Sequence, residues 1–404
     1  MTGRERVLKA VSFQPTDRLP KDLGGMGSSG ISCFAYEKLR RHCGLPPQPT
    51  KVWDTGQMLA LPDLDVLDLL GCDVVTLTGT GATNAFPQPP LWQPYTFNGR
   101  LPTGVVMHPE DFAVRKDGTI VQWGSAYMVP GSSVFDTEHA GQIMNVYDEE
   151  LMKEEPADIE REMNACMPTD AELRNLENTA RRIRDESDRA LFFSGYNAVF
   201  GFRGGIVNYS MLCLLEPDYV RDVHTLMTRL NTRRLMAYLQ AVGPYVDIMT
   251  STCEDMGTQN ATIISPQTFR ELFWPYMLQV NLALRKACPH IKTFMHSCGA
   301  IFDILDDIME MGVDILNPVQ WSAGGHSFRE WKDKTRGRMA LWGGGVNSQV
   351  TLPFGSVDDV RAEVGEVCRC MKQGSGYVFN NIHNLLADIP PEKILAMYAE
   401  AGRY

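Results

Sequence analysis

With 404 residues, 44% of them hydrophobic, the chain can bury a full-sized core in one large domain or two ordinary ones. Its 38 basic and 49 acidic residues give a formal net charge of -11, and the basic ones form no long run, which argues against a phosphate-backbone partner and hence against nucleic acid. No apolar window reaches the ~18 residues of a membrane span, and the opening MTGRERVLKAV lacks the apolar core of a signal peptide, so a cytoplasmic protein with no membrane partner is expected.

In chain order, a helical lead-in precedes eight short apolar runs separated by helical stretches: Leu19–Leu23, Asp73–Leu77, Ala190–Ser194, Val246–Ser251, Lys292–His296, Val313–Asn317, Met339–Trp342 and Tyr377–Asn381. Eight such runs with covering helices predict an α/β fold, a (β/α)₈ TIM barrel, as one domain over residues 1–404. Between the second and third runs, Pro102–Met144 carries VRKDGTIVQW, two alternating stretches joined at Asp117-Gly118, which predicts an antiparallel β-hairpin insertion. Further on, Ile263–Lys286 opens at Ser265-Pro266 as a capped helix that Pro275 divides. The segment Ala300–Met311 repeats Ile301, Ile304, Leu305 and Ile308 at helical spacing before Gly312. Ten scattered cysteines without a Cys-x-x-Cys fit a reducing compartment, and Cys368 and Cys370, on different faces of a helix, read as structural.

In a barrel the chemistry sits at the C-terminal ends of the strands. His296 and Cys298 are one residue apart at such an end, so both point into the mouth, and imidazole with thiolate is a donor set that zinc prefers. A strand-end histidine also serves as a hydrogen-bonded structural residue, so the pair alone does not decide. His383 on the opposite rim and Glu254 beside the fifth run are candidates for a third donor. Each has a plain structural alternative, a loop-capping ring for His383 and helix-entry capping for Glu254 and Asp255. Asp22, Tyr196, Asn197, Arg203, Asn317 and Trp342 are expected to bind substrate. Arg203, within GFRGG, serves equally well as a loop brace.

The opening RERVLKAVSFQPTDRLP and the close GYVFNNIHNLLADIPPEKILAMYAEA resemble the uroporphyrinogen decarboxylase superfamily, with similarity from about Arg4 to Tyr398. Within it, EDMGTQNATIISPQTFRELFWPYM, HSCG and LWGGGVNSQ resemble the branch of zinc-dependent methyltransferases that work with corrinoid proteins. The resemblance implies a (β/α)₈ barrel, a zinc ion on His296 and Cys298, and a homodimer. Where the decarboxylases carry an Arg-x-x-Gly-Arg-type motif this chain reads DLGGMGSSGIS, without the arginines that would bind tetrapyrrole carboxylates. Where thiol-methylating members have a second cysteine ligand this chain has His383, and neutral imidazole leaves a more electrophilic ion. The expected reaction is therefore transfer of a methyl group from a small methylated donor, such as an aryl methyl ether, to a Co(I) corrinoid, with Glu254 or Asp255 completing the metal shell, holding its water or protonating the leaving oxygen. The alternatives are methyl transfer from a methyl-corrinoid protein to a thiol, a decarboxylase-like lyase, and a non-catalytic accessory subunit. An Asp-x-His-x-x-Gly corrinoid-attachment motif is missing, Phe294 standing at the aspartate position, so the corrinoid is expected on a separate protein, for which the insertion is a candidate platform.

Overall fold

A computed structural model describes residues 1–136 and 151–404. Among these residues seven parallel strands form one sheet in chain order: β1 (Val74–Leu77), β2 (Ala190–Phe193), β3 (Ile248–Cys253), β4 (Lys292–His296), β5 (Ile315–Asn317), β6 (Ala340–Trp342) and β7 (Tyr377–Val378). The remaining expected run, Leu19–Leu23, the first in the chain, is not a full strand. It closes the gap between the sheet edges through single contacts: the Phe379 amide donates to Pro20 (2.8 Å), the Asp22 amide to Phe379 (3.0 Å), and the Asp73 amide to Lys21 (2.8 Å). Pro20 has no amide to extend the ladder, and Gly24 turns the chain away at φ +81. The result is a TIM-barrel-like α/β fold.

Side chains fill the barrel. Phe192, Phe294 and Trp342 pack across its interior, tilted and edge to face, at 4.7 and 5.6 Å between neighbouring centroids, with Val74, Ile248, Ile315 and Val378 around them. The lead-in helix Gly3–Val11 stoppers the N-terminal end of the barrel with Val7 and Val11. Its Thr2–Glu5 capping box fixes where it starts, and Arg6 pairs with the buried Asp73 (2.5 Å) at the foot of β1.

The long segment after β3 divides as expected, into Pro266–Leu272, capped by Ser265 Oγ accepting from the Thr268 amide (3.0 Å), and Trp274–Ala287. Ala300–Met311 is shorter than its spacing predicts, a 3₁₀ turn at Phe302–Ile304 running into a helix at Leu305–Glu310. The turn at Asp117-Gly118 joins Phe112–Val114 to Ile120–Gln122, and a third strand, Ala126–Met128, extends the hairpin to a meander. The part of the expected insertion from 137 to 144 lies outside the described residues. A second small sheet was not foreseen. It is built from Ile31–Ser32, Leu59–Ala60, Thr50–Asp54, Gly104–Val106 and Gln93–Pro94, strands of two to five residues too short to carry a readable alternation. No described helix is long and apolar enough to cross a membrane, and all ten cysteines are unpaired.

Candidate metal centre

Strand register builds the centre. His296 ends β4 opposite Cys253 of β3 and Asn317 of β5, so the three side chains share the inner face. The Ser297 amide donates to the Asn317 carbonyl (2.9 Å), which carries the strand geometry one residue further and sets Cys298 beside His296. Gly299 then leaves the rim at φ +88, so close to the Gly257 backbone that any side chain at 299 would collide with it. On the far side, His383 follows β7.

His296, Cys298 and His383 converge, with one ligand atom of each within 4.8 Å of the others. Cys298 Sγ lies 3.3 Å from His296 Nε2, and the two imidazole centroids are 5.7 Å apart. Zn–S and Zn–N bonds of about 2.3 and 2.0 Å in a tetrahedron put neighbouring donors about 3.3–3.6 Å apart, so the donor set fits zinc in chemistry and the Cys298–His296 pair also fits it in spacing.

Hydrogen bonds fix the ring that anchors the set. Asn317 Nδ2 donates to the Trp342 carbonyl (2.9 Å), which turns Asn317 Oδ1 toward His296 Nδ1 (2.6 Å) and the Ser28 hydroxyl (2.5 Å). An acceptor at that position keeps the proton on Nδ1 and leaves the Nε2 lone pair facing Cys298 and His383. Burial lowers the pKa of His296 against the pull of Asp255, with His383 lowering it further. Cys298 is pushed the other way, its thiol held protonated by burial and by the neighbouring Asp255 carboxylate; a divalent cation reverses that preference.

The two candidate acids differ. Asp255 is at the centre: its Oδ1 accepts from the Cys298 amide (2.8 Å) and stands 3.6 Å from His296 Nε2. Glu254 is turned to the next loop, where its Oε1 accepts from the Phe200 and Gly201 amides (2.8 and 2.7 Å), and burial pushes its pKa up to about 7. A carboxyl group of that pKa carries a proton near neutrality, as a general acid requires.

The residues expected to bind substrate have other engagements. Asp22, Tyr196, Asn317 and Trp342 are all at most 1% exposed. Asp22 accepts from Trp342 Nε1 (3.0 Å) and the Gly25 amide (2.9 Å), burial raising its pKa to about 6. Tyr196 donates to the Asn231 carbonyl (3.2 Å), and the half-buried Asn197 gives its carbonyl to Arg234. Arg203 is a brace, paired with Glu154 (2.7 Å) and Glu162 (2.6 Å), and has no charge left over for an anion. Asn317 orients the His296 ring. A cavity of about 260 Å³ lies beside His383, walled by Gln320, Gln349, Leu352, Ile382 and Leu386. Gln320 is tied to the loop that carries Cys298 by accepting from the Gly299 amide (2.8 Å). Ser28 and the orienting role of Asn317 escaped the sequence reading; an asparagine ending the strand after the histidine strand was their one signal.

The sequence model of the family described as Uroporphyrinogen decarboxylase (URO-D) matches residues 154–404. The chain belongs to the uroporphyrinogen decarboxylase family. Curated relatives include the uroporphyrinogen decarboxylase of Legionella pneumophila (strain Philadelphia 1), 26% identical over 54% of this chain and 61% of that one. That of Chlorobium limicola is 29% identical over 50% of this chain and 56% of its own length. The chain thus spans less than two thirds of the length of these relatives. Among solved structures, a methyltransferase from Methanosarcina mazei superposes over 100% of this chain and 99% of its own with a TM-score of 0.55 at 16% identity, a likeness of fold. Membership in the family is the relationship that the opening and closing segments implied.

Proposed function

We propose that this member of the uroporphyrinogen decarboxylase family is a zinc-dependent methyltransferase that moves a methyl group from a small methylated donor, such as an aryl methyl ether, to the Co(I) corrinoid of a separate partner protein. The observation that carries the reading is the convergence of His296, Cys298 and His383, with the free lone pair of His296 aimed at the other two by Asn317. Zinc, when bound, supplies Lewis-acid polarisation of the donor's heteroatom. The chain does the rest. His296, Cys298 and His383 hold the ion, Asn317 keeps one tautomer of His296, and Asp255 fixes the Cys298 backbone through its amide. The cavity beside His383 seats the donor, and protonated Glu254 is the proton reserve for the leaving oxygen. A ligand set with one thiolate favours this electrophilic role over activation of a thiol acceptor.

The decarboxylase reading is favoured by the names of the curated relatives, and opposed by the Asp22–Ser32 segment, which offers amides and hydroxyls but no guanidinium to a polycarboxylate. One experiment separates the two. Purified protein is analysed for metal, then incubated with an aryl methyl ether and free cob(I)alamin, or with uroporphyrinogen. The proposal expects one zinc per chain and methylcobalamin formation that fails with Cys298→Ala. Metal-free protein that releases carbon dioxide from uroporphyrinogen would overturn it.

A further inference from the structure

A second cavity, of about 370 Å³, lies where the strand Thr50–Asp54, the meander and the loop after β1 meet, with Trp53, Asp54, Met107, Asp111 and Trp123 in its walls. It shares no lining residue with the cavity beside His383. Its size is that of a small-molecule site.

Two indoles form its aromatic wall. Among the described residues, neither Trp53 nor Trp123 has another ring or a basic side chain packed over it. The meander's one arginine, Arg115, lies over Tyr127 instead (4.5 Å). Trp123 is 66% exposed and sits at φ +51, a conformation that glycine or asparagine adopts at lower cost, so the fold gains little from an indole at this place.

The charged lining residues are both acids, Asp54 and Asp111, and no Lys or Arg lines the cavity. Among the described residues neither carboxylate has an ion pair. The one basic ring in the wall, His108, is turned to Glu110 (3.1 Å). Asp54 is held in place by the Gln57 amide, which donates to its Oδ1 (2.9 Å), and burial raises its pKa for want of a counter-charge.

Indole faces attract a cation through the ring quadrupole, and two unpaired carboxylates add Coulombic attraction. An anion would be repelled here, and a neutral molecule would leave both acids unpaired. A small inorganic cation keeps its water and gains little from indole and thioether walls, whereas an alkylated ammonium group is weakly hydrated and fits them. We propose that this cavity is a second binding site of the protein, taking a small organic cation whose ammonium group lies against Trp53 and Trp123 with Asp54 and Asp111 as counter-charges. The site stands on its own geometry and is independent of the methyl-transfer reading.

The probe is choline, titrated into full-length protein by calorimetry and tryptophan emission, with and without zinc. The comparator is its uncharged isostere, in which carbon replaces the ammonium nitrogen. Saturable choline binding is expected, equal in zinc-loaded and zinc-stripped protein, with the isostere at least about tenfold weaker. Trp123→Leu removes an exposed ring and is expected to weaken choline by about fivefold to tenfold. Asp111→Asn keeps the shape, loses the charge, and is expected to weaken it by about threefold to tenfold. Equal affinity for the isostere, affinity unchanged in both variants, binding that disappears when zinc is removed, or no saturable binding of choline overturns the site.

Discussion

Residues 154–404 and the first 136 residues are built on different plans. The first region alternates parallel strand and helix, and its polar side chains collect at the strand ends, where register alone brings His296 alongside Asn317. The second supplies the stopper helix, β1 and two small sheets of short strands, and it contains the cavity at Trp53 and Trp123. The family match covers the former and stops short of the latter. The difference teaches that chemistry here depends on ladder geometry, whereas the N-terminal part contributes closure and surface.

If that division holds, substitutions at the strand ends should alter metal and turnover, and substitutions elsewhere should leave both unchanged. Cys298→Ala is expected to have the largest effect, a loss of bound zinc and a drop of at least about 10³-fold in methyl transfer, read by elemental analysis and methylcobalamin absorbance. Next is the pH dependence set by Glu254. An unfolded glutamate titrates near 4.5 and this one near 7, so between those values the folded state keeps a proton that the unfolded chain has lost. Its contribution to stability is full below pH 4.5 and is lost as pH rises through 7, amounting to about 3 kcal/mol. Urea midpoints of metal-stripped protein at pH 4.5 and 8 should converge in Glu254→Gln relative to the parent.

Asn317→Ala should weaken zinc by about 10- to 100-fold while the three ligands remain, measured by competition with a chelator of known affinity. Arg203→Ala should cost about 1 kcal/mol through its ion pairs with Glu154 and Glu162 and leave zinc content unchanged, which calorimetric melting and metal analysis check together. The smallest effect belongs to the meander. Trp123 is 66% exposed at φ +51, and Trp123→Asn should raise stability by at most about 0.5 kcal/mol with no change at the metal, read from the thermal midpoint.

Much of the barrel was legible because most of the strands from β1 to β7 carry a short apolar stretch, such as Ala190–Phe193 or Ala340–Trp342, between helical segments. The first run misled because its backbone contacts, not its composition, decide whether it becomes a strand, and Pro20 and Gly24 leave it room for little more than one bridge. Two donors of the candidate centre were legible from spacing, His296 and Cys298, and His383 from its place after the last run. The partners of Asn317, Trp342 and Asp22 were hidden, because they depend on which residues lie level in neighbouring strands and inside a closed ring. The engagement of Arg203 was hidden too, since Glu154 and Glu162 lie 49 and 41 residues away in the chain.

The most direct test of the central claim is X-ray absorption at the zinc edge of protein loaded with one equivalent of the ion. One sulfur at about 2.3 Å together with nitrogen or oxygen neighbours at about 2.0 Å, the imidazole signature falling by half in His383→Ala, is the predicted result. A shell without sulfur, or one that His383→Ala leaves untouched, would contradict it.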